Sequence, residues 1–356
     1  MTGTVKHQRS GVSLLEVLIS IGVIAIGIFG VAALIPVAQL KVAEGTSRDR
    51  QAAFGPSAAA DFRVRMGSPK DWALVGTSNL QPHVPLASPY MNAAQMQTIL
   101  GRGGFCIDPM GVVESGVTGV DSYKFPWNAP ATPTDFGMQR LSLASFQNLA
   151  PAARVSLARD MFLLKDDIVV DLPDDQALQP RRQYFLDAAT QRPLSPVSNA
   201  SLSWFATLSR TALGSQDFVL SIVVVKTRVP ALGAVEENFA IAQSPFGGEV
   251  MLSHTTPLMA NQISAADLQI GDWILLAKAL DPASNVPANI VYRWTQIIGT
   301  DEGPNANGAY GFTISNDDFL VPDTVTNSGG GIAIFMRGVT SVYEKTIRLE
   351  NTGSWN

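Results

Sequence analysis

The chain is poor in the residues that most often build catalytic and metal sites. Cys106 is its only cysteine, so an intramolecular disulfide is impossible and no thiolate metal site can form. Of its 3 histidines, His83 and His254 lie far apart in unrelated surroundings, and neither a nucleophile-elbow sequence nor a His-x-x-x-His pair occurs. These absences disfavour an enzyme, and we expect no catalytic residues, no cofactor and no bound metal.

Basic blocks are missing from the sequence as well. The chain has 25 Lys and Arg residues against 30 Asp and Glu, a formal net charge of −5, which argues against nucleic acid as a partner. One acidic stretch runs from Asp166 to Asp175, with Asp167, Asp171 and Asp174 between them. Such oxygens could bind Ca²⁺, but they lack the spacing of an EF-hand loop, and a solvated charged loop is the favoured interpretation.

A long apolar run near the N-terminus is the most informative feature that is present. It extends from Val17 to Ala38, contains Ser20 as its one strongly polar side chain, and meets no further charge before Lys41. As a helix the run would be roughly 33 Å long, against about 30 Å for the hydrocarbon core of a bilayer. It is too long for a secretory signal peptide, whose apolar stretch has about 7–15 residues. The sequence therefore predicts a membrane segment.

A single carboxylate, Glu16, stands at the start of this run. An acidic side chain inside a membrane helix costs on the order of 2.5–3.5 kcal/mol at mid-bilayer, so it usually has a partner and a function. Cleavage after Gly11 would supply a partner, because Val12 would carry a free ammonium that could neutralise Glu16 of a neighbouring copy. In the simpler alternative, the segment is a plain anchor and Glu16 reaches back to the lipid headgroups.

The string Gly11-Val12-Ser13-Leu14-Leu15-Glu16-Val17-Leu18-Ile19 resembles the N-terminal methylation motif of type IV prepilins and type II secretion pseudopilins. The resemblance implies that a membrane peptidase cuts after Gly11, that Val12 becomes the methylated terminus, and that Glu16 is the assembly carboxylate. Val12 departs from the family, in which the first mature residue is usually Phe. The Leu-Leu-Glu-Val-Leu form is most similar to the minor-pilin and minor-pseudopilin branch, and the resemblance covers about the first 40 residues.

Partners and location follow from the same resemblance. It implies a prepilin peptidase/methyltransferase, other pilin or pseudopilin subunits, an inner-membrane assembly platform and membrane lipid. Lys6, His7 and Arg9 favour a cytoplasmic N-terminus and a periplasmic head anchored in the inner membrane, or an extracellular filament after assembly. Whether that filament is a pilus or a secretion pseudopilus stays open. The main alternative is an anchored extracytoplasmic binding module that never polymerises, and a weaker one is a membrane-tethered hydrolase.

The predicted fold class is α+β, with a long N-terminal transmembrane helix packed on a mainly antiparallel, β-rich head. We expect a leader over 1–11, a helix over 12–66 that spans the membrane over about 12–40, a mixed loop-rich region over 67–200 and a β-rich region over 201–356. Apolar residues at four-residue spacing predict that the end of the helix lies against the head; they are Phe54, Ala58, Phe62 and Met66. Pro36 predicts a kink, and Gly55-Pro56 a second kink or a restart.

The head region divides into two kinds of pattern. Helices are expected over 91–100 and 152–164, and the rest of 67–200 is interpreted as decoration of the head. After residue 200 the period becomes two, which predicts strands over 218–225, 237–243, 272–278, 290–299 and 310–315, and a half-buried strand around Tyr343 to Leu349. Four aromatic residues on these strands could form a binding patch but are more typical of a core; they are Trp273, Tyr292, Trp294 and Phe312.

Overall fold

The computed structural model describes residues 14–75, 83–85, 103–114, 124–126, 136–163, 202–211, 217–226, 228, 236–243, 248–254, 263–279, 290–306, 308–315 and 331–348. The chain divides into two compact units, Met1–Ala52 and Ala53–Asn356. Gly11, Val12, the helix expected over 91–100 and the acidic stretch from Asp166 to Asp175 lie outside the described residues.

Helix α1, Leu14–Met66, has 53 residues and supplies all of the described first unit. Its part Leu14–Gln39 is long and apolar enough to cross a membrane, about 39 Å at the usual helical rise. This confirms the prediction of an N-terminal apolar helix that is compatible with a single-pass membrane anchor. The helix continues through Pro36 and Pro56, so the alternative of a restart at Pro56 is wrong. A proline deletes only its own backbone donor, and the surrounding turns can hold the helix together.

Among its described residues, the second unit contains two further α-helices and fourteen strands. Helix α2 is Pro109–Glu114 and helix α3 is Pro151–Phe162. The strands are β1 Trp72–Val75, β2 His83–Pro85, β3 Gly104–Ile107, β4 Lys124–Phe125, β5 Met138–Leu143, β6 Leu202–Arg210, β7 Asp217–Lys226, β8 Glu236–Gln243, β9 Glu249–His254, β10 Trp273–Ala279, β11 Ile290–Pro304, β12 Tyr310–Ile314, β13 Gly331–Met336 and β14 Val339–Arg348. A mainly antiparallel β head with an N-terminal helix confirms the coarse α+β prediction.

An eight-stranded sheet forms the centre of the second unit. Its order is β14-β7-β6-β3-β5-β1-β2, and β4 pairs with β5 outside this path. Neighbours are antiparallel except β3 and β5, which are parallel. Five of these strands come from 67–200, so the interpretation of that region as decoration is wrong. The strands are short and separated by long connections, which hides their period from a sequence window.

The remaining described strands form a closed six-stranded barrel with the order β10-β11-β12-β9-β8-β13. Its residues lie in the chain between β7 and β14, which are themselves paired neighbours in the sheet. The Lys226 amide donates to the Gly338 carbonyl at 2.8 Å, so both ends of the inserted segment leave the sheet side by side. The barrel is therefore an insertion into a hairpin of the sheet. Strand β11 also continues past the predicted end at Gly299 as far as Pro304, through two register shifts.

The two faces of the sheet are both covered. On one face the predicted stripe Phe54, Ala58, Phe62 and Met66 is buried together with α3, which confirms its contact with the head. Trp72 Nε1 donates to the Met66 carbonyl at 2.9 Å and ties the helix end to β1. The other face packs against the barrel. Burial on both faces explains the continuous apolar run of β7, which a strand with one solvated face would not have.

Successive side chains of the barrel strands point alternately into two further hydrophobic cores. In β10, Ile274 and Leu276 belong to the barrel interior, whereas Leu275 and Ala277 belong to the core shared with the sheet. The aromatic residues follow the same division: Tyr292 and Trp294 are buried between barrel and sheet, Phe312 is buried inside the barrel, and Trp273 is half-buried at the edge of the shared core. The prediction that they are core residues is confirmed for the three that are buried.

Candidate functional site

The membrane-type part of α1 is the first candidate site, because it contains Glu16. This residue lies in the first described turn of the helix and is exposed. The Ser20 hydroxyl donates to the Glu16 backbone carbonyl at 2.7 Å and leaves the carboxylate untouched. Every large apolar side chain described between Leu14 and Val42 is also exposed. The carboxylate therefore stands on an apolar surface whose chemistry suits lipid or another helix.

A buried cluster of four charged residues is the second candidate site, and sequence reasoning missed it. Asp108 directly follows β3, Arg140 lies in β5, Arg228 follows β7, and Glu236 opens β8. We call these four residues the charge quartet. Their side chains are at most 3 % exposed, so neither bulk water nor a substrate reaches them.

Arg140 occupies the centre of the charge quartet. Its Nη2 donates to both carboxylate oxygens of Glu236 at 2.7 Å, and its Nη1 pairs with the Asp108 carboxylate. Its Nε donates to the Lys124 carbonyl at 3.2 Å. The guanidinium also lies 5.3 Å from the ring centroid of Phe125. This fork geometry explains why arginine suits the position, since a lysine could not make the same set of contacts.

Asp108 is held from three directions. Arg228 Nη1 donates to Asp108 Oδ1 at 2.7 Å, and the Arg228 Nη2 and Asp108 Oδ2 atoms are paired as well. The Gly111 amide donates to Asp108 Oδ1 at 3.0 Å, the contact that an N-cap makes with the third residue of its helix. A Cβ at Gly111 would overlap the Asp108 carboxylate and the Arg228 guanidinium, so glycine leaves room for the cluster.

Electrostatics favour the charged forms of Asp108, Arg140 and Arg228. Burial by itself would raise the pKa of the Asp108 carboxyl, but the nearby Arg228 and Arg140 guanidiniums outweigh it and lower that pKa below its usual value. Burial likewise opposes the charge on Arg140, yet Glu236 and Asp108 raise its pKa. Two cations and two carboxylates balance formally, which is the condition for keeping such charges in a protein interior.

Cys106 lies next to the charge quartet in β3 but is not a nucleophile in this structure. It is fully buried, and this burial raises the pKa of its thiol well above the ordinary value. A thiolate is the reactive form, so the thiol is inert. The cluster and Cys106 together have the character of a structural joint rather than of a catalytic centre.

The histidines and carboxylates do not form a shared site in the part of the chain that the structure describes. His254 Nε2 accepts from the Ala265 amide at 3.3 Å, and its ring lies 5.4 Å from that of Phe239. Burial lowers the pKa of His254, which fits a packing role. Among these described residues, no group of three His, Cys, Asp or Glu side chains could hold a metal ion.

A local signal could have found only one member of the charge quartet. Asp108-Pro109 follows an apolar strand, and an aspartate before a proline is a frequent helix start. Arg140 and Glu236 are 96 residues apart, so no sequence window contains both.

Comparison of the chain with known protein families, curated proteins and solved structures finds no match.

Proposed function

We propose that the protein is a minor-pilin-like or pseudopilin-like structural subunit of a type IV pilus or type II secretion filament, processed after Gly11 and assembled through α1. The observation that carries this proposal is the division of α1 into two parts. The large apolar side chains described in its first part are exposed and accompany one carboxylate, and its last part buries Phe54, Phe62 and Met66 in the head. A plain anchor needs the first part but not the carboxylate.

The exposed surface of α1 requires an apolar partner. Fully burying a side chain such as Leu or Ile is worth about 1.5–3 kcal/mol, and many such side chains project from this helix. Lipid meets the requirement before assembly, and neighbouring copies of the same helix meet it afterwards. In the assembled state Glu16 needs a cation, and the new ammonium of Val12 on the adjoining subunit supplies one. Since any other stagger leaves a charge alone in an apolar medium, this pair sets the register of the subunits.

The head supports a minor or tip-proximal position. A sheet with an inserted barrel is bulky, and bulky heads crowd a regular helical lattice. The partners of this function are a prepilin peptidase/methyltransferase, the other subunits, an inner-membrane assembly platform and lipid. The head then lies on the periplasmic side of the inner membrane or on an extracellular filament.

A second candidate function is a single-pass anchored binding module that does not polymerise. The inserted barrel favours it, because a closed barrel held by two adjacent connections is a separate module that an anchor could present. Under this alternative the N-terminus stays uncut and Glu16 reaches the headgroups.

Intact-mass analysis of protein from the native host distinguishes the filament subunit from the anchored binding module. We expect the mass of residues 1–11 to be lost and that of one methyl group to be gained, and residues 1–11 still attached would exclude the filament proposal. Gly11→Val should leave the leader in place, because the cut needs a residue without a side chain there. Gly3→Val is the matched control within the same leader and should be processed normally.

A further inference from the structure

The inserted barrel meets the sheet through an apolar interface. Sheet residues such as Phe205 and Val223 are buried in one core with Leu275 and Ile334 of the barrel. Apolar burial is non-directional, so this core alone favours contact without selecting one orientation of the barrel. Directional contacts between the two layers must therefore set that orientation. Besides the charged pairs described below, they include the hydrogen bonds from the Tyr292 hydroxyl to the Phe136 carbonyl at 3.0 Å and from Trp294 Nε1 to Thr207 Oγ1 at 2.9 Å.

The two chain connections between the sheet and the barrel attach the barrel along one line only. Both ends of the inserted segment leave the sheet at the same place, as the bond between Lys226 and Gly338 shows. Two adjacent connections act as a hinge, around which a module can rotate. A fixed orientation needs directional contacts in addition to this hinge.

The charge quartet joins the two layers. Asp108 and Arg140 belong to the sheet side, whereas Arg228 and Glu236 belong to the inserted segment. Both guanidiniums also lie over aromatic rings, Arg140 over Phe125 and Arg228 at 5.5 Å over Phe205. Each cation is thereby held by carboxylates at its edge and by a ring at its face, an arrangement whose contacts depend on orientation.

We propose that the charge quartet is an orientation lock, which fixes the inserted barrel against the sheet and contributes little net stability. The reason lies in desolvation. Taking four charges out of water costs about as much as their mutual attraction returns, and apolar residues of similar volume often serve stability equally well. Apolar residues in the same positions could not supply directional pairing. The lock is independent of whether the helix polymerises.

Spin-label distances in the full-length protein in detergent test the lock. The uncharged quartet combines Asp108→Asn, Arg140→Met, Arg228→Met and Glu236→Leu; Asn is chosen because it still accepts from the Gly111 amide. Cys106→Ala removes the native thiol. Cysteines replacing Asn148, outside the barrel, and Gln269, in the exposed turn before β10, carry the labels. A second pair replacing Asn148 and Lys345 reports on the sheet side alone.

We expect a single narrow distance for both pairs in the otherwise unchanged protein. In the uncharged quartet the barrel pair should lose that narrow distance while the sheet pair keeps it, with the unfolding midpoint near its original value. Arg140→Lys, which retains charge but not the fork, should broaden the barrel pair in part. A barrel pair that stays narrow in the uncharged quartet overturns the lock. Broadening of both pairs, or loss of folding, also overturns it, because the charges would then be required for stability.

Discussion

Replacing Phe62 by alanine tests how firmly the end of α1 is fixed to the head. Phe62 is fully buried in the core that Ala58 and Met66 share with the sheet. Removing a buried phenylalanine loses its transfer free energy and leaves a cavity, together about 3–5 kcal/mol. Native proteins have unfolding free energies of about 5–15 kcal/mol, so this single change should remove a large fraction of the total.

The matched control is Val64→Ala on the same helix. Val64 lies two residues further along and is 84 % exposed, so its truncation empties no core. Phe and Val have similar helix propensities, which means that the gain from introducing alanine is nearly the same in both variants. We expect the control to change the free energy of unfolding by no more than about 0.5 kcal/mol.

Urea unfolding followed by tryptophan fluorescence measures the difference in the full-length protein. Trp72 reports on this core, because its Nε1 donates to the Met66 carbonyl and its ring centroid lies 6.1 Å from that of Phe105. The Phe62→Ala midpoint should fall clearly below that of Val64→Ala. Equal midpoints for the two variants would refute the reasoning, since the stripe would then not anchor the helix.

Three further predictions concern the two candidate sites. Glu16→Leu should insert into membranes normally but fail to co-purify with filaments; unchanged co-purification would remove its assembly role. Gly111→Ala should destabilise the head by about 1–3 kcal/mol through overpacking against Asp108, whereas Gly45→Ala, where a Cβ meets no atom within 4 Å, should not. Because the pKa of Asp108 is lowered on folding, its contribution is present above the unfolded pKa of about 3.9 and is lost as the pH falls through the folded value. Thermal midpoints measured between pH 7 and 3 should therefore decline less at the acid end in Asp108→Asn, and a parallel decline would contradict this.

Local patterns accounted for the elements whose burial repeats regularly. Helix α3 and the strands β7, β8, β10 and β12 lie within a residue or two of their predicted bounds. Each contains enough residues for its period to show, because one face meets a core and the pattern records that contact. Strand β11 departs from its predicted end at Gly299, because it passes through two register shifts and continues to Pro304. A bulge and a turn use similar residues, so composition does not distinguish them.

Pairing between distant strands could not be predicted in the same way. The parallel neighbours β3 and β5 and the assignment of β14 to the sheet rather than to the barrel depend on which surfaces meet after folding. Several strands have suitable lengths and apolar faces, and propensity does not rank their possible partners. The same holds for the charge quartet, because local sequence does not mark its members as buried and four separate segments bury them together only in the folded chain.

The amino-acid order by itself determined the apolar helix, the placement of Glu16 at its start, the buried stripe at its end and the β character of the second half. Those features depend on neighbours within a few turns or a few residues, where covalent spacing dictates which side chains share a face. Only the tertiary structure decided that a barrel is inserted between paired strands and that Asp108, Arg140, Arg228 and Glu236 meet at its joint. Because taking a charge out of water is costly, these four residues can be buried only beside opposite charges. Residues so far apart in the sequence come together only in the folded chain.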